Sequence, residues 1–390
     1  MGSWLLHNGV LILAIGPLAY YVLTLLTALR YFSARKRAVR HECGYAPPAS
    51  ILKPVRGLDR NAYDNFASFC RLDYPLYEIV FCVSDADDPA IPVIEKIMHD
   101  FPERQIRLLV GAREIGSSSK VNKLCRLVRE AKYDLLVISD SDVRVGPAYL
   151  AGVAAPFADP RVGAVTAFFR SDMAGSVGAT LDAAGSAVEF ATAAILARWL
   201  EGIRFTLGAT MATTKSRLSE IGGFEMLKDH YVDDHELGSR IAAHGYSIRL
   251  AQDPVLLVYP RETVRQFVQH ELRWTIGLRN VRPGGHAAMA FTFGLPWTVL
   301  AALMAPSRTI AWLYVLAYLV LRYSVYGVVG VWGLDDPVAR RWLILAPLRD
   351  AINFGVWVAS FFSDKICWRG LEFQVKHGLL IPLTNGRGSK

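Results

Sequence analysis

The pattern of apolar and polar positions changes character three times along the chain. Residues 9–29, GVLILAIGPLAYYVLTLLTAL, carry no charge over 21 positions. At ~1.5 Å per residue that run crosses a hydrocarbon core of about 30 Å. RYFSARKRAVR follows, with Arg30, Arg35, Lys36, Arg37 and Arg40. Basic residues on that flank place it in the cytoplasm. No basic residue precedes the run and no small-residue cleavage site follows it, which favours a retained helix over a cleaved signal.

Residues 47–262 read differently. Short apolar runs alternate with helical stretches: SILKPV then NAYDNFASFCRL, EIVFCVSD then PAIPVIEKIMHD, IRLLVG then SKVNKLCRLVREA, DLLVISDSD then the stretch after Pro147, and finally VGAVTAFF. EIVFCV and DLLVIS are nearly continuous apolar runs, the pattern of strands covered on both faces. The alternation predicts an α/β fold with a mostly parallel, doubly wound sheet. Such sheets bind ligands beyond the carboxyl ends of their strands.

Beyond residue 262 the helical period dominates. Residues 263–281 place Val264, Phe267, Val268, Leu272 and Ile276 on one stripe with basic residues around it, the pattern of a helix lying in a membrane surface. Residues 287–305 and 309–333 predict a transmembrane hairpin joined by Pro306-Ser307-Arg308. Arg322 lies either near the end of its span or paired inside it, since an isolated charge at mid-bilayer is costly. Residues 342–362 carry Arg349, Asp350 and Asn353, and predict either a third C-terminal span with an internal pair or a re-entrant or surface helix. A basic tail, 363–390, follows. Upstream, residues 186–202 are apolar but hold Glu189 and Arg198. They make a poor span and read as an amphipathic lid or a buried core helix.

Composition agrees with a soluble domain joined to a few spans. The 390 residues are 52% hydrophobic and carry net charge +8, with mean hydropathy +0.25. A basic excess in cytoplasmic flanks meets anionic lipid and calls for no nucleic acid. Five cysteines (Cys43, Cys70, Cys82, Cys125, Cys367) form no CxxC pair, which fits a reducing compartment without a thiol-metal site.

Candidate chemistry gathers at strand ends. EIVFCVS runs into Asp85, with Asp87 and Asp88 behind it, and DLLVIS runs into Asp140-Ser141-Asp142. Turn chemistry accounts equally well for Asp87 and Asp88. Clustered carboxylates at the end of a buried strand are costly unless a cation is shared between them. A hard divalent ion completed by diphosphate oxygens would supply it. In HYVDDHELGSRIAAHGY, residues 230–246, a helix is expected to begin near Asp233 or Asp234. One of the two would serve as its cap, and the pair suits a general base. His230 and His235 lack the HExxH frame of a zinc site. GSSSKVNKL places Lys120, Asn122 and Lys123 at a predicted helix start, which attracts anions. Gly208, in RFTLGATMATTKSRLSEIGGF, offers close backbone approach to a sugar.

The order Asp85/Asp87, DSD at 140–142, VDDHEL at 232–237 and HELRW at 270–274 resembles the D, DxD, [ED]D and [QR]xxRW pattern of membrane-bound inverting glycosyltransferases with a GT-A fold. Within that group the chain resembles ceramide glucosyltransferases (family 21), in CVSDADDPAI, SKVNKL and DLLVISDSDVRV. IRFTLGATMATTKSRLSEIGGFE and RWTIGLRNVRPGGHAAMAFTFGLPW look closer still to the bacterial hopanoid-biosynthesis branch, thought to transfer N-acetylglucosamine to bacteriohopanetetrol. The resemblance covers residues 5–375. It implies a nucleotide-sugar donor such as UDP-GlcNAc or UDP-Glc, a membrane-lipid acceptor, and Mg²⁺ or Mn²⁺. It also implies an integral protein of the bacterial inner membrane with a cytoplasmic catalytic domain. Asp85 would contact the base or ribose, with Asp87 a nearby alternative. Asp140 would sit by the ribose and sugar, and Asp142 would bind the metal, with Asp140 beside it. Asp234 would be the general base, Arg273 would hold the diphosphate, and Trp274 would shape the acceptor side.

His270 departs from the pattern, standing where Gln or Arg is usual. If protonated it could contact phosphate, and activity would then fall as pH rises through its pKa. The stripe around it also suits a membrane-surface belt, and both readings hold if lipid takes the stripe while His270, Arg273 and Trp274 face the site. Ceramide glucosylation, a processive polysaccharide synthase, a polyprenyl-phosphate glycosyltransferase and a non-enzymatic scaffold are the competing functions.

Overall fold

The computed structural model describes residues 2–37, 44–173, 175–368 and 371–383. Arg40, Cys43, Arg369 and Gly370 lie outside the described residues. The chain forms two compact units. An α/β unit takes Val39–Ala174, Gly202–Pro260 and Gly378–Lys390, and a helical unit takes Met1–Ala38, Gly175–Glu201 and Arg261–His377. The expected single run 47–262 is thus interrupted, because residues 175–201 belong to the helical unit.

In the α/β unit, strands β1 (Ala49–Pro54), β2 (Tyr77–Val83), β3 (Gln105–Val110) and β4 (Leu135–Ile138) lie parallel in the order β3-β2-β1-β4. Then come β5 (Val143–Arg144), β6 (Val162–Thr166), β7 (Phe169–Asp172), β8 (Met211–Thr214), β9 (Ser247–Leu250) and β10 (Val255–Val258). β8 enters antiparallel to both β4 and β6, and β9 pairs parallel with β6. β5, β10 and β7 make a small second sheet. Every residue of β1, β2 and β4 is buried, as continuous apolar runs require when both faces are covered. Leu52, Val80, Leu124, Leu136, Ile138 and Leu237 share one core.

Glycines let the helix Asp233–Ala243 reach this sheet closely. A Cβ on Gly163 of β6 would lie 2.5 Å from Ile241 Cγ2, and one on Gly238 would lie 2.5 Å from the carbonyl carbon of Phe205. Gly238 follows Asp234 by one turn, so the close approach sets Asp234 against the backbone at 206–208. The Thr206 hydroxyl accordingly donates to the Asp234 carbonyl at 2.7 Å.

Among the described residues of the helical unit, four helices are long and apolar enough to cross a membrane: Asn8–Arg37, Val177–Leu200, Arg308–Gly333 and Leu343–Phe362. A bent pair, Pro283–Phe291 and Gly294–Met304, makes a fifth if it counts as one span. Residues 186–200 of the segment expected as a lid or core helix belong to the helix Val177–Leu200. Its charges do not bar it from that length, because Glu189 bonds Arg349 at 2.9 Å and the Arg198 guanidinium sits 5.0 Å from the Tyr31 ring centroid. The expected span 287–305 is broken, with a 44° bend. At the break the Gly294 N–H donates to the Tyr21 hydroxyl at 2.9 Å, and a Cβ there would lie 2.6 Å from the Tyr21 ring. Residues 309–333 begin as an α-helix and end as a π-helix over Tyr326–Gly333. The expected tail begins with an antiparallel hairpin, β11 (Lys365–Trp368) and β12 (Leu371–Lys376).

The buried charges of the C-terminal apolar helices, Arg322, Arg349 and Asp350, each have a partner. Arg322 pairs with Asp350, which also accepts from the Tyr318 hydroxyl at 2.8 Å. Arg349, fully buried, bonds Glu189 and Glu271 at 2.9 and 3.0 Å. Removing one member of a buried pair strands the other, whereas replacing both is often near neutral. Asp350→Leu alone should cost about 3–5 kcal/mol in detergent-solubilised protein. The double variant Arg322→Met/Asp350→Leu should recover most of that loss in thermal unfolding. A double variant as unstable as the single one would show that pairing is not the source.

Candidate active site

The carboxyl ends of the parallel strands bring the sequence-predicted acids together. Gly208 lies in a turn ahead of β8, and its N–H donates to Asp234 Oδ2 at 2.8 Å. A Cβ placed on Gly208 would lie 3.2 Å from Asp140 Oδ2, 3.4 Å from Asp234 Oδ2 and 3.6 Å from Lys120 Nζ. Four predicted residues therefore converge on one point. Lys120 sits between the acids, 3.0 Å from Asp140 Oδ1 and 3.3 Å from Asp233 Oδ2. The second contact is an ion pair only, since that Asp233 oxygen has no hydrogen-bond partner. Neither aspartate of VDDHEL caps the helix, as one was expected to. Val232 holds the cap position and both aspartates fall in the first turn, where amide dipoles favour negative charge.

Burial raises the pKa of two of these carboxyls. Asp234 is buried. Burial, then the neighbouring Asp233, push its pKa up to about 7, against the opposing pull of Lys120 and the His235 N–H. That N–H donates to Asp234 Oδ1 at 2.7 Å, and the His235 ring stacks on Phe205. A carboxyl held near neutrality in a cleft matches what a general base needs. Asp142 is likewise pushed up to about 7, by burial and then by Asp140 and Asp59.

Two residues that carry this site escaped sequence reading. Lys53, fully buried in β1, donates to the Asp140 carbonyl at 2.7 Å and lies 3.8 Å from the Phe69 ring centroid. Burial pulls its pKa down to about 7, opposed by Asp140, Asp142 and Asp59. A lysine inside an otherwise apolar strand was the available signal. Asp59, which accepts from the Ser141 hydroxyl, had none. Asp59, Asp140, Asp142, Asp233 and Asp234 face only Lys53 and Lys120 in the contacts just described, so negative charge exceeds positive when all are ionised. Asp142 Oδ1 is also buried without a hydrogen-bond partner. An orphan carboxylate oxygen amid excess negative charge fits a hard divalent cation. Asp142, with Asp140 beside it, would hold that cation.

The remaining predicted residues are more scattered in role. Asp85 and Asp87 are exposed just beyond the end of β2. Asp88 is structural, accepting from the N–H groups of Gly57 and Ala90. Asn122, expected to contact the nucleotide-sugar, uses its amide on its own loop instead. Its oxygen accepts from the N–H groups of Ile115 and Gly116, and its Nδ2 donates to the Gly116 carbonyl at 2.9 Å. His270, Arg273 and Trp274 lie on the helix Val264–Val281 of the helical unit, begun by a capping box of Thr263 and Gln266. The Arg273 guanidinium lies 5.8 Å from the Trp368 ring centroid. His270 has both ring nitrogens engaged, Nδ1 with Asp182 at 2.9 Å and Nε2 with the Trp274 indole N–H at 2.7 Å. Burial pulls its pKa down, and Asp182 more than offsets this. A proton on Nε2 would nonetheless face the indole N–H. With both nitrogens engaged by Asp182 and Trp274, His270 directs no free ring atom toward a phosphate.

A sheet of this order with acids at its carboxyl edge has the GT-A fold. A mannosyltransferase from Pyrobaculum calidifontis, solved in complex with GDP-Man and Mn²⁺, shares that fold with TM-score 0.54 at 18% identity, over 90% of this chain and 99% of that one. The family model described as Glycosyl transferase family 21 matches residues 9–381, and the chain belongs to that family. Ceramide glucosyltransferase 3 of Caenorhabditis elegans is 26% identical over 261 residues, 63% of this chain and 54% of that protein. The ceramide glucosyltransferase of Komagataella phaffii is 32% identical over 147 residues, 35% of this chain and 29% of that one. The chain thus spans about half the length, or less, of these curated relatives.

The charge arrangement has a consequence for stability. The Asp234 pKa is raised, so its ionised form is the costly one, and the cost appears as pH climbs from the ordinary carboxylate range through about 7. Lys120 offsets that cost, while the third-exposed Asp140 is partly screened by solvent. Lys120→Met should therefore destabilise the protein by roughly 1–3 kcal/mol at pH 8 and by less at pH 5. Thermal unfolding at the two pH values measures this. An equal deficit at both would assign Lys120 a packing role alone.

Proposed function

We propose that this chain is an inverting glycosyltransferase that moves a hexose or N-acetylhexosamine from a nucleotide-sugar to a hydroxyl of a membrane lipid. The observation that carries the reading is the convergence of Asp140, Asp234, Lys120 and the Gly208 N–H on one point at the carboxyl edge of the sheet. A nucleotide-sugar bound there meets a cation and a base that a backbone N–H holds in place. The acceptor oxygen attacks the anomeric carbon, its proton passes to Asp234, and the bond from that carbon to the diphosphate oxygen breaks. The Gly208 N–H holds Asp234 Oδ2 in place, and Lys120 keeps the neighbouring acids compatible with an ionised base. A divalent ion at Asp142, Mg²⁺ or Mn²⁺, would supply charge neutralisation for the leaving diphosphate. The mannosyltransferase of like fold was solved with Mn²⁺ and a nucleotide-sugar, which supports that cofactor class. The roles of Arg273 on the diphosphate and of Asp85 on the nucleoside rest on the motif alone.

The donor in this reading is UDP-GlcNAc or UDP-Glc, and the acceptor is bacteriohopanetetrol, on the resemblance of 203–225 and 273–297 to the hopanoid branch. Ceramide is the second reading, favoured by the curated relatives, which are named for it. An anionic polyprenyl phosphate suits the site poorly, given its excess of carboxylates over lysines. The apolar helices support an integral membrane protein. The cytoplasmic side of a bacterial inner membrane is the location that the basic residues after the first span favour.

Membranes holding the full chain, given either UDP-sugar and either lipid, should yield one glycolipid spot and no polymer. Asp234→Asn should lower kcat roughly 10²–10⁴-fold while retaining donor binding. In the unaltered protein kcat/KM should rise with pH and level off above about 7, the value to which burial and Asp233 lift Asp234. An acidic limb near pH 4, or full activity in Asp234→Asn, would remove Asp234 as the base.

A further inference from the structure

The motif helix of the helical unit contains a hydrogen-bonded chain that none of the catalytic roles above uses. Asp182, on the helix Val177–Leu200, is 2% exposed. Its Oδ1 accepts from the Ser186 hydroxyl at 2.5 Å, and its Oδ2 accepts from His270 Nδ1–H at 2.9 Å. With Nδ1 donating, Nε2 of a neutral imidazole offers a lone pair. The Trp274 indole N–H donates to it at 2.7 Å. An indole N–H can only donate, so the geometry itself specifies the tautomer. His270 and Trp274 are four residues apart and so stack on one helix face.

Packing explains why Asp182 reaches His270. Gly178 lies one turn before Asp182 on the same face. A Cβ there would fall 2.5 Å from the Glu262 carbonyl oxygen, so only glycine lets the helix approach the chain at 262–263 this closely. The capping box at Thr263 then sets the course of the motif helix. Beyond the chain, Trp274 is 39% exposed and packs edge-on against Phe190, itself 36% exposed, at 5.8 Å between centroids. A half-exposed indole whose N–H is held by a histidine anchored on the buried Asp182 presents a fixed aromatic surface.

We propose that Asp182 is a positioning residue that fixes the Trp274 indole through His270, and that this sets the surface against which the lipid acceptor is placed. The functional half of this inference rests on the lipid-transfer reading, and the structural half does not.

The full chain in detergent or nanodiscs, labelled with ¹⁵N-indole tryptophan, tests both halves. The Trp274 N–H resonance is identified by its loss in Trp274→Phe. Asp182→Leu and His270→Leu should each shift that resonance and speed its exchange with solvent. Each should also raise the acceptor KM roughly tenfold and leave the donor KM in place, the pattern of lost acceptor positioning. His270→Gln should recover most of the resonance position and acceptor KM relative to His270→Leu. One amide carries both an acceptor for the indole and a donor for Asp182. If Asp182→Leu fails to fold, the comparison of His270→Gln with His270→Leu decides alone. An unmoved Trp274 resonance in the leucine variants, or Gln behaving like Leu, would overturn the proposal. Shifted resonances in a chain that transfers no sugar to any lipid would leave Asp182 coupled to Trp274 and sink the lipid-transfer reading instead.

Discussion

Buried negative charge is the constraint around which the α/β unit is organised. Asp140, Asp142, Asp233 and Asp234 are drawn to one edge by where β4 ends and where the helix Asp233–Ala243 begins. Gathering them in a partly dry cleft is unfavourable unless each charge is answered. Lys120 answers Asp140 and Asp233 directly, and Lys53 answers from beneath. The balance is incomplete, and what remains is expressed as carboxyls held near neutrality and an oxygen of Asp142 without a partner. A site left short of positive charge suits a hard divalent cation. Glycines at 163, 208 and 238 serve the same arrangement by letting backbone approach where a side chain would push the acids apart.

The helical unit solves a related problem with different means. Its apolar helices carry Glu189, Arg322, Arg349 and Asp350, and each is matched within the unit. Such pairs are expensive to bury and costly to break. They therefore specify which helices meet, whatever they contribute to net stability. Arg349 is the clearest case, joining Glu189 and Glu271 while Gly185 leaves room for its guanidinium. The chain from Asp182 through His270 to Trp274 belongs to the same economy of satisfied buried polar groups.

Membership of glycosyl transferase family 21 and the GT-A fold give these features a common context. Donor chemistry needs acids and a cation at strand ends. A lipid acceptor needs apolar helices and an aromatic surface. Both kinds of feature are present in one chain, each within its own unit. His270 stands where relatives of this pattern have Gln or Arg. It keeps one property of Gln, the ability to donate and accept at once, and that property is what its two partners use.

The sequence alone determined the alternation of strands and helices, the acids at the ends of two buried strands, and the apolar runs, because hydrophobic periodicity and strand-end chemistry are local. The helix start near Asp233 was legible to that extent, and so was Gly208 as a place of close backbone approach. Tertiary structure decided the rest. Lys53 and Asp59 joined the site because β1 neighbours β4 across the sheet, a pairing that no local pattern encodes. Asn122 left the predicted site because its amide closes residues 115–116. The segment 186–202 read as too charged for a span, since the partner of Glu189 lies far along the chain. His270 looked like a phosphate contact until Asp182 supplied its partner. In each case the deciding quantity was the satisfaction of a buried polar group, and that depends on distances between residues that the sequence keeps apart.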